Sequence, residues 1–368
     1  MNNGTTSPET LLAGYKDNHI ARRLLADITA YTKRVSIMEV CGTHTVSLFK
    51  TGIKAGLPDN INLVSGPGCP VCVTPVETIE EVIGLACRKD AVLFCFGDML
   101  RVPGAGDSLE TVRAKRDAAV KIMYSPMEAL EFARRAPDKK TILFGVGFET
   151  TVPLFASVLL RARQEEVKNL YLLSAFKLIP PAIDSLLAAG NVTLDGFMLP
   201  GHVSSIIGAD VYRFMAEKYG VPGVVTGFEV VDILAGISGL LELIAGKQAA
   251  IKNCYPRFVK SRGNLKAVRA MQSVFTPSDA RWRGLGMLPA SGLALRDDFA
   301  HFDARQLIDF HVAPAPEPGG CRCGDVIKGI CIPPACPLYK KTCTPSQPIG
   351  PCMVSSEGTC AAYYKYGG

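Results

Sequence analysis

Three absences narrow what this chain can do. No apolar run of about 18 residues, the length of a membrane-spanning helix, is free of charge. The most apolar stretch, Val221 to Gly246, is broken by Glu229, Asp232 and Glu242. Basic residues form no stripe and occur at most in pairs such as Arg22-Arg23 and Lys139-Lys140. A nucleic-acid partner needs clustered Lys and Arg with interleaved aromatics, so none is expected. The N-terminus, MNNGTTSPETLL, lacks the basic region and apolar core of a secretory signal. A cytoplasmic protein without a membrane partner is expected.

The 368 residues carry 48% apolar side chains and a net charge of +6. That excludes wholesale disorder and suggests two to three domains at roughly 100–200 residues each. The cysteines are unevenly spread: of 13, seven fall between Cys321 and Cys360. In a reducing compartment such clustering reads as metal ligands or redox centres, not structural disulfides.

Short β-branched runs alternate with helix-period segments over the first 250 residues. Strands are predicted at Val35–Val40, Ile61–Val64, Ala91–Phe96, Thr141–Val146, Leu170–Leu173, Gly196–Leu199 and Val221–Val225. Thr74-Pro75-Val76-Glu77 and Ser125-Pro126-Met127-Glu128 have the form of capping boxes at helix starts. Ala209–Tyr219 and Val231–Ile244 also read as helices. This rhythm predicts an α/β fold, two parallel-sheet α/β domains followed by an irregular, Cys-rich domain. The expected divisions are 30–125, 126–248 and 249–368, with residues 1–29 packed on the last. Leu93–Asp98 is echoed by Leu143–Glu149, and Gly147-Phe148-Glu149 recurs as Gly227-Phe228-Glu229. That fits two related units dividing near residue 125, or merely the ordinary end of an α/β strand. Beyond about residue 313 the chain becomes Pro- and Cys-rich and can bury little core without a metal, disulfides or docking.

Ligand sites in open α/β sheets lie outside the carboxyl ends of the strands. Those ends carry Cys41-Gly42-Thr43-His44-Thr45, then Gly66-Pro67-Gly68-Cys69-Pro70-Val71-Cys72. Later ends carry Gly97-Asp98, Glu149, Pro200-Gly201-His202 and Glu229. Cys41 stands before a helix expected to be capped by Thr43 or Thr45, where amides and a nearby His44 favour a thiolate. The bland alternative is a buried free cysteine. Cys69 and Cys72 form a CxxC ahead of a helix, suited to a reversible disulfide or to half a metal site. His202, before a cap expected at Ser204-Ser205, could be a ligand, a proton donor or a structural side chain. Glu149 and Glu229 could be acid/base groups or could bond amides at helix starts. The GPGCP turn lacks the signatures of phosphate loops.

The tail reads C-x-C-x7-C-x4-C-x6-C-x8-C-x7-C. It has a single C-x4-C unit, Cys331 to Cys336, not the two C-x2-4-C units of a zinc knuckle, and fits a [4Fe–4S] cluster better. Four thiolates suffice, so three are surplus. Cys331, with apolar flanks, reads as a bystander, and two others could form a redox disulfide.

Taken together, CGTHT at 41–45, GPGCPVC at 66–72, GFETT at 147–151, PGHVSSIIG at 200–208, GFEVVDIL at 227–234 and the tail from Cys336 to Tyr366 resemble the HypD family of [NiFe] hydrogenase maturation proteins. The resemblance runs from about residue 30 to the end. It implies a scaffold for the Fe(CN)2(CO) unit, working with HypC, which adds a cysteine ligand, and with HypE, a cyanide donor loaded by HypF. It also implies two α/β domains and a third carrying a [4Fe–4S] cluster. By that resemblance Cys41 is the iron ligand, with His44 beside it, and Cys69 and Cys72 are a redox pair at the iron site. Cys321, Cys336, Cys343 and Cys360 match the cluster ligands, and Cys323 and Cys352 an adjacent disulfide pair. Glu149, His202, Glu229 and Glu357 would line the cleft. Tyr339-Lys340 stands where the family pattern has Phe-Gly. An electron path from the tail cysteines through Cys69/Cys72 to iron at Cys41 requires the tail to fold back over the strand ends. The alternative function is an iron–sulfur thiol–disulfide reductase acting on a protein, and a third is a zinc-stabilised binding protein.

Overall fold

The computed structural model describes residues 18–190, 193–310, 312 and 317–367. Residues 1–17 and 313–316, at the start of the Pro-rich segment, lie outside the described residues. All seven predicted strands are present: β1 (Val35–Glu39), β2 (Ile61–Ser65), β3 (Ala91–Cys95), β5 (Lys140–Gly145), β6 (Leu170–Ser174), β7 (Gly196–Pro200) and β8 (Gly223–Thr226). Each is a short apolar run, and β3, β7 and β8 are buried at every position, as strands covered on both faces must be. Two short edge strands escape periodicity, β4 (Val120–Ile122) and β9 (Ile251–Asn253). Each has an exposed Lys at its centre and only three residues, so neither has an apolar pattern to read.

All strands of the two larger sheets are parallel. The first runs β2-β1-β7-β8-β9 and the second β4-β3-β5-β6. The expected divisions at 125 and 248 do not coincide with these sheets. The chain lays down β1 and β2, leaves to build the whole second sheet, and returns to complete the first. Helices and loops alone do not reveal this, because the interruption follows an ordinary strand–helix rhythm. The echo between Leu93–Asp98 and Leu143–Glu149 falls on β3 and β5, neighbours in one sheet, so the recurrence is the ordinary strand end.

Other expectations change in detail. Helix Val76–Ala86 starts at Pro75 with no side-chain cap, since the Thr74 hydroxyl donates back to the Pro70 carbonyl. The second device holds: the amide of Ser125 donates to Glu128, and Ser125 Oγ accepts from Met127 N. Helix Asn18–Thr29 packs on helix Val230–Ala245 of the first sheet instead of the C-terminal region, because Ile28, Leu24 and Leu25 join the apolar cluster there.

Two segments follow β9. The antiparallel hairpin β10 (Phe275–Trp282) and β11 (Gly286–Leu295) carries a register shift between Ser278 and Ala280. The tail consists of short helices, Cys323–Ile327, Pro351–Val354 and Thr359–Tyr366, with a tight turn at Pro333–Ala335. It folds back onto the first sheet. Helix Thr359–Tyr366 packs on helix Gly42–Lys50, and the other two helices pack on the turn of helix Pro70–Val73. One buried cluster therefore runs from Val40 and Leu199 through Cys69 and Cys72 to Cys323, Cys352 and Cys360.

Candidate functional site

Cys41 stands just beyond β1, in extended conformation, as the N-cap of helix Gly42–Lys50. It is 1% exposed. Neither Thr43 nor Thr45 caps that helix. Thr43 Oγ1 donates to Glu357 Oε1 at 2.6 Å, and Thr45 Oγ1 donates to Glu39. The expected thiolate is not what the surroundings favour. Burial pushes the Cys41 thiol well above its ordinary range, and the carboxylates of Glu357 and Glu39 push the same way. The amide of His44 pulls it back only in part.

The imidazole beside Cys41 is also not the one adjacent in sequence. His44 Nε2 donates to the Gly227 carbonyl at 2.9 Å, and its ring lies 4.8 Å from that of Phe228. Burial holds His44 down to about 4, so it is neutral. His202 takes the place instead, with Nδ1 3.8 Å from Cys41 Sγ. It too is held by burial to about 4. Phe228 stands between both rings, 5.1 Å from His202. Ser204 and Ser205 do not cap; their hydroxyls donate to Pro200 and His202 carbonyls inside the helix.

The GPGCPVC turn reaches Cys41 directly. Gly42 N donates to Gly68 O at 2.9 Å, and a Cβ at Gly68 would lie 2.1 Å from Cys41 N. Only glycine permits that approach. Cys69 and Cys72 are joined as a disulfide with Cα atoms 5.2 Å apart, and Cys69 Sγ accepts from Cys72 N.

Six of the seven tail cysteines line one pocket: Cys321, Cys323, Cys336, Cys343, Cys352 and Cys360. Cys331 lies apart, in a groove beside Val64 and Tyr363. Hydrogen bonds from Cys321 and Cys352 hold the Cys323 thiol well below its usual range, so negative charge settles there. Among the described residues no three His, Cys, Asp or Glu side chains converge on one point as a mononuclear ion requires. A [4Fe–4S] cluster makes a different demand, spreading four thiolates over four irons. Cys321, Cys336, Cys343 and Cys360, in one pocket, fit that group in donor chemistry.

The family model described as "HypD: Hydrogenase formation hypA family" matches residues 19–367. This chain belongs to the HypD family. It is 41% identical over 355 residues to the hydrogenase maturation factor HypD of Escherichia coli strain K12, covering 95% of this chain and 93% of that protein. It is 41% identical to the HypD of Azotobacter vinelandii over 363 residues, 96% of each. A putative hydrogenase expression/formation protein of Methanocaldococcus jannaschii is 40% identical over 333 residues, 90% of this chain and 92% of that one. The chain is thus a hydrogenase maturation factor of the HypD type. Among the described residues, no helix is long and apolar enough to cross a membrane.

The acids of the HypD motifs fall into two groups. Glu149 and Glu229 act on backbone. Glu149 Oε1 accepts from Ile179 N at 3.0 Å, at the start of helix Ile179–Ala189, and burial raises its carboxyl to about 7. Glu229 N-caps helix Val230–Ala245 in a reciprocal box with Asp232. Glu357 instead meets the CGTHT helix, and next to it Ser355 and Ser356 hydroxyls each lie 3.4 Å from Asp98 Oδ2. Residues 355–357 thereby touch the strand-end loops of both sheets. Sequence reasoning missed Tyr212, fully buried with its hydroxyl unpartnered, and Arg283, a fully buried guanidinium. Neither sits at a strand end or in a cysteine motif, so spacing carried no signal for them.

Proposed function

We propose that the chain is the scaffold on which the Fe(CN)2(CO) unit of the [NiFe] hydrogenase active site is built. The iron is cargo, bound through the Cys41 sulfur. The observation that carries this reading is the position of Cys41. It is a buried thiol at the strand end, with a neutral imidazole 3.8 Å away and the CPVC turn closed over it. Burial keeps such a thiol protonated until a cation replaces the proton. A soft thiolate then suits iron, and cyanide and CO, as strong-field ligands, make that iron low-spin. His202 Nδ1 stands where it can relay the displaced proton, although burial keeps it from retaining that proton.

The dithiols supply redox capacity. Thiol–disulfide exchange between Cys323/Cys352 and Cys69–Cys72 breaks the inner S–S bond and forms the outer one, moving two electrons inward with whatever protons the outer pair carries, and balances without another reactant. The packing of helices Cys323–Ile327 and Pro351–Val354 against the CPVC turn supports that exchange. Once free, the Cys69 and Cys72 sulfurs stand beside the iron site as further ligands or reductant. Cys321, Cys336, Cys343 and Cys360 are the residues that would hold a [4Fe–4S] cluster, which supplies single electrons when bound. HypC is the proposed partner at the iron, and HypE, loaded by HypF, the source of cyanide.

A thiol–disulfide reductase would use the same dithiols but has no need of Cys41. Mössbauer spectra of iron-57-labelled chain, purified anaerobically after coexpression with HypC, separate the two. Wild type is expected to show a [4Fe–4S] signal and one low-spin ferrous iron. Cys41→Ala is expected to lose the second signal, keep the first, and abolish hydrogenase maturation. Normal maturation in that variant would overturn the scaffold reading.

A further inference from the structure

Lys177 is a buried charge with no partner among the described residues. It is 5% exposed, and its ammonium makes no hydrogen bond and no ion pair there. Burial, aided by Arg305, lowers it to about 8, so it still carries its charge at pH 7. It stands three residues past β6, outside the carboxyl end of the second sheet, where open α/β sheets bind ligands. The backbone there is held from two sides. Lys177 N donates to Gly147 O at 3.0 Å, and Leu178 N donates to Ser291 O of β11 at 2.9 Å. A cation kept out of water without a partner is costly, and a bound anion removes that cost.

Lys177 lines a cavity of about 290 Å³, and so do Pro75, Glu77 and Thr78 at the start of helix Val76–Ala86. That helix end is uncapped. No side chain accepts from it, and the amides of Glu77 and Thr78 find no carbonyl in the preceding turn. Val73 O is taken by the Arg283 amide, and the Thr74 hydroxyl is turned to the Pro70 carbonyl. Bare amides at a helix start carry partial positive charge and bind oxyanions. Two of the three acids on the cavity wall are engaged: Glu81 pairs with Arg305 at 3.1 Å, and Asp279 Oδ1 accepts from Ala290 N at 2.9 Å. The third, Glu77, is half-buried, and Arg281 on β10 is exposed. Formal charge on the walls therefore balances and selects nothing by itself. The selection comes from donors without acceptors, the ammonium and the two amides.

We propose that this cavity binds a phosphoryl oxyanion, held by the Lys177 ammonium and the amides of Glu77 and Thr78, with the Thr78 hydroxyl and the exposed Arg281 as further donors. A phosphoryl group offers three acceptor oxygens in different directions, which suits donors drawn from separate elements. A carboxylate offers two oxygens in one plane. The group is free phosphate or the end of a larger phosphate monoester, since both present the same oxygens. Its binding would tie the helix that follows the CPVC turn to the strand end of the second sheet and to the β10–β11 hairpin, all of which contribute to the cavity wall.

The test titrates the full chain, in a buffer free of other oxyanions, with inorganic phosphate, phenyl phosphate and acetate in turn, read by isothermal titration calorimetry. Wild type is expected to bind phosphate at a single site. Lys177→Met, which removes an unpaired buried charge and keeps the length of the side chain, is expected to fold and to weaken binding by about tenfold or more. Arg281→Ala, an exposed change, is expected to weaken it about threefold. A second measurement needs no substitution: saturating phosphate is expected to slow reductive methylation of the native Lys177 amine about tenfold, read by mass spectrometry, and to leave exposed lysines unaffected. Tighter binding of phenyl phosphate marks a larger monoester as the ligand, and equal or weaker binding marks free phosphate; both support the site. No phosphate binding by wild type, equal affinity in Lys177→Met, no protection of Lys177, or acetate bound as tightly as phosphate overturns it.

Discussion

At the scale of single residues, burial decides charge more than sequence neighbours do. Lys177 shows the cost in isolation. It is 5% exposed, and burial, with Arg305 acting the same way and Glu81 opposing, lowers its ammonium to about 8. The unfolded chain holds that proton up to its ordinary value of 10.5. Between those values the unfolded state binds more protons, so this group's contribution to stability rises with pH across that window and is least favourable below it. Lys177→Met is therefore expected to stabilise the protein by on the order of 2 kcal/mol at pH 7. The gain should shrink toward nothing by about pH 10.5, as urea melts of both proteins across pH would show. The same principle explains what was misread at Cys41. Adjacency in sequence suggested His44 as its helper, but a helical residue three positions on points where its turn directs it, and here that is the Gly227 carbonyl. That the CGTHT and GPGCPVC segments meet at one strand-end region was legible from the sequence; which imidazole faces Cys41 was not.

At the scale of elements, the tail turn at Tyr339-Lys340 places a side chain where the backbone favours glycine. Lys340 has φ of 58°, in the left-handed region where a side chain is strained and glycine is not. Its ammonium lies 5.8 Å and 5.9 Å from the ring centres of Tyr339 and Tyr364, which offsets part of the strain. Lys340→Gly is expected to raise stability by about 0.5–1 kcal/mol without altering the cysteine pocket, as thermal melts and thiol counts would establish. Elements were read well where they were long and apolar and poorly where they were short and edged. β4 and β9 have three residues each with a central exposed Lys, and the hairpin β10–β11 contains Pro277 and Pro289 with mixed polarity. Helix caps followed the same rule: the box at Ser125–Glu128 formed, whereas Thr74 was claimed by a carbonyl of the preceding turn.

At the scale of the whole molecule, the tail and the first sheet meet at a contact that tolerates no extra atom. A Cβ at Gly42 would lie 2.4 Å from the Glu357 carbonyl oxygen and 2.7 Å from its Cβ. Gly42→Ala is expected to push residues 355–357 away from the CGTHT helix, costing about 1–3 kcal/mol. It should also raise alkylation of Cys41 in the native state, measurable by timed labelling and mass spectrometry; labelling at the wild-type rate would show that the tail does not seal this site. The sequence alone determined the chemistry available here, because cysteine spacing, strand-end position and apolar runs are local properties. It determined the parallel α/β class for the same reason. Only the tertiary structure decided that the second sheet interrupts the first, that His202 and not His44 faces Cys41, and that the Arg283 side chain is fully buried. Those facts depend on which distant segments share a boundary from which water is excluded, and no local pattern encodes that choice.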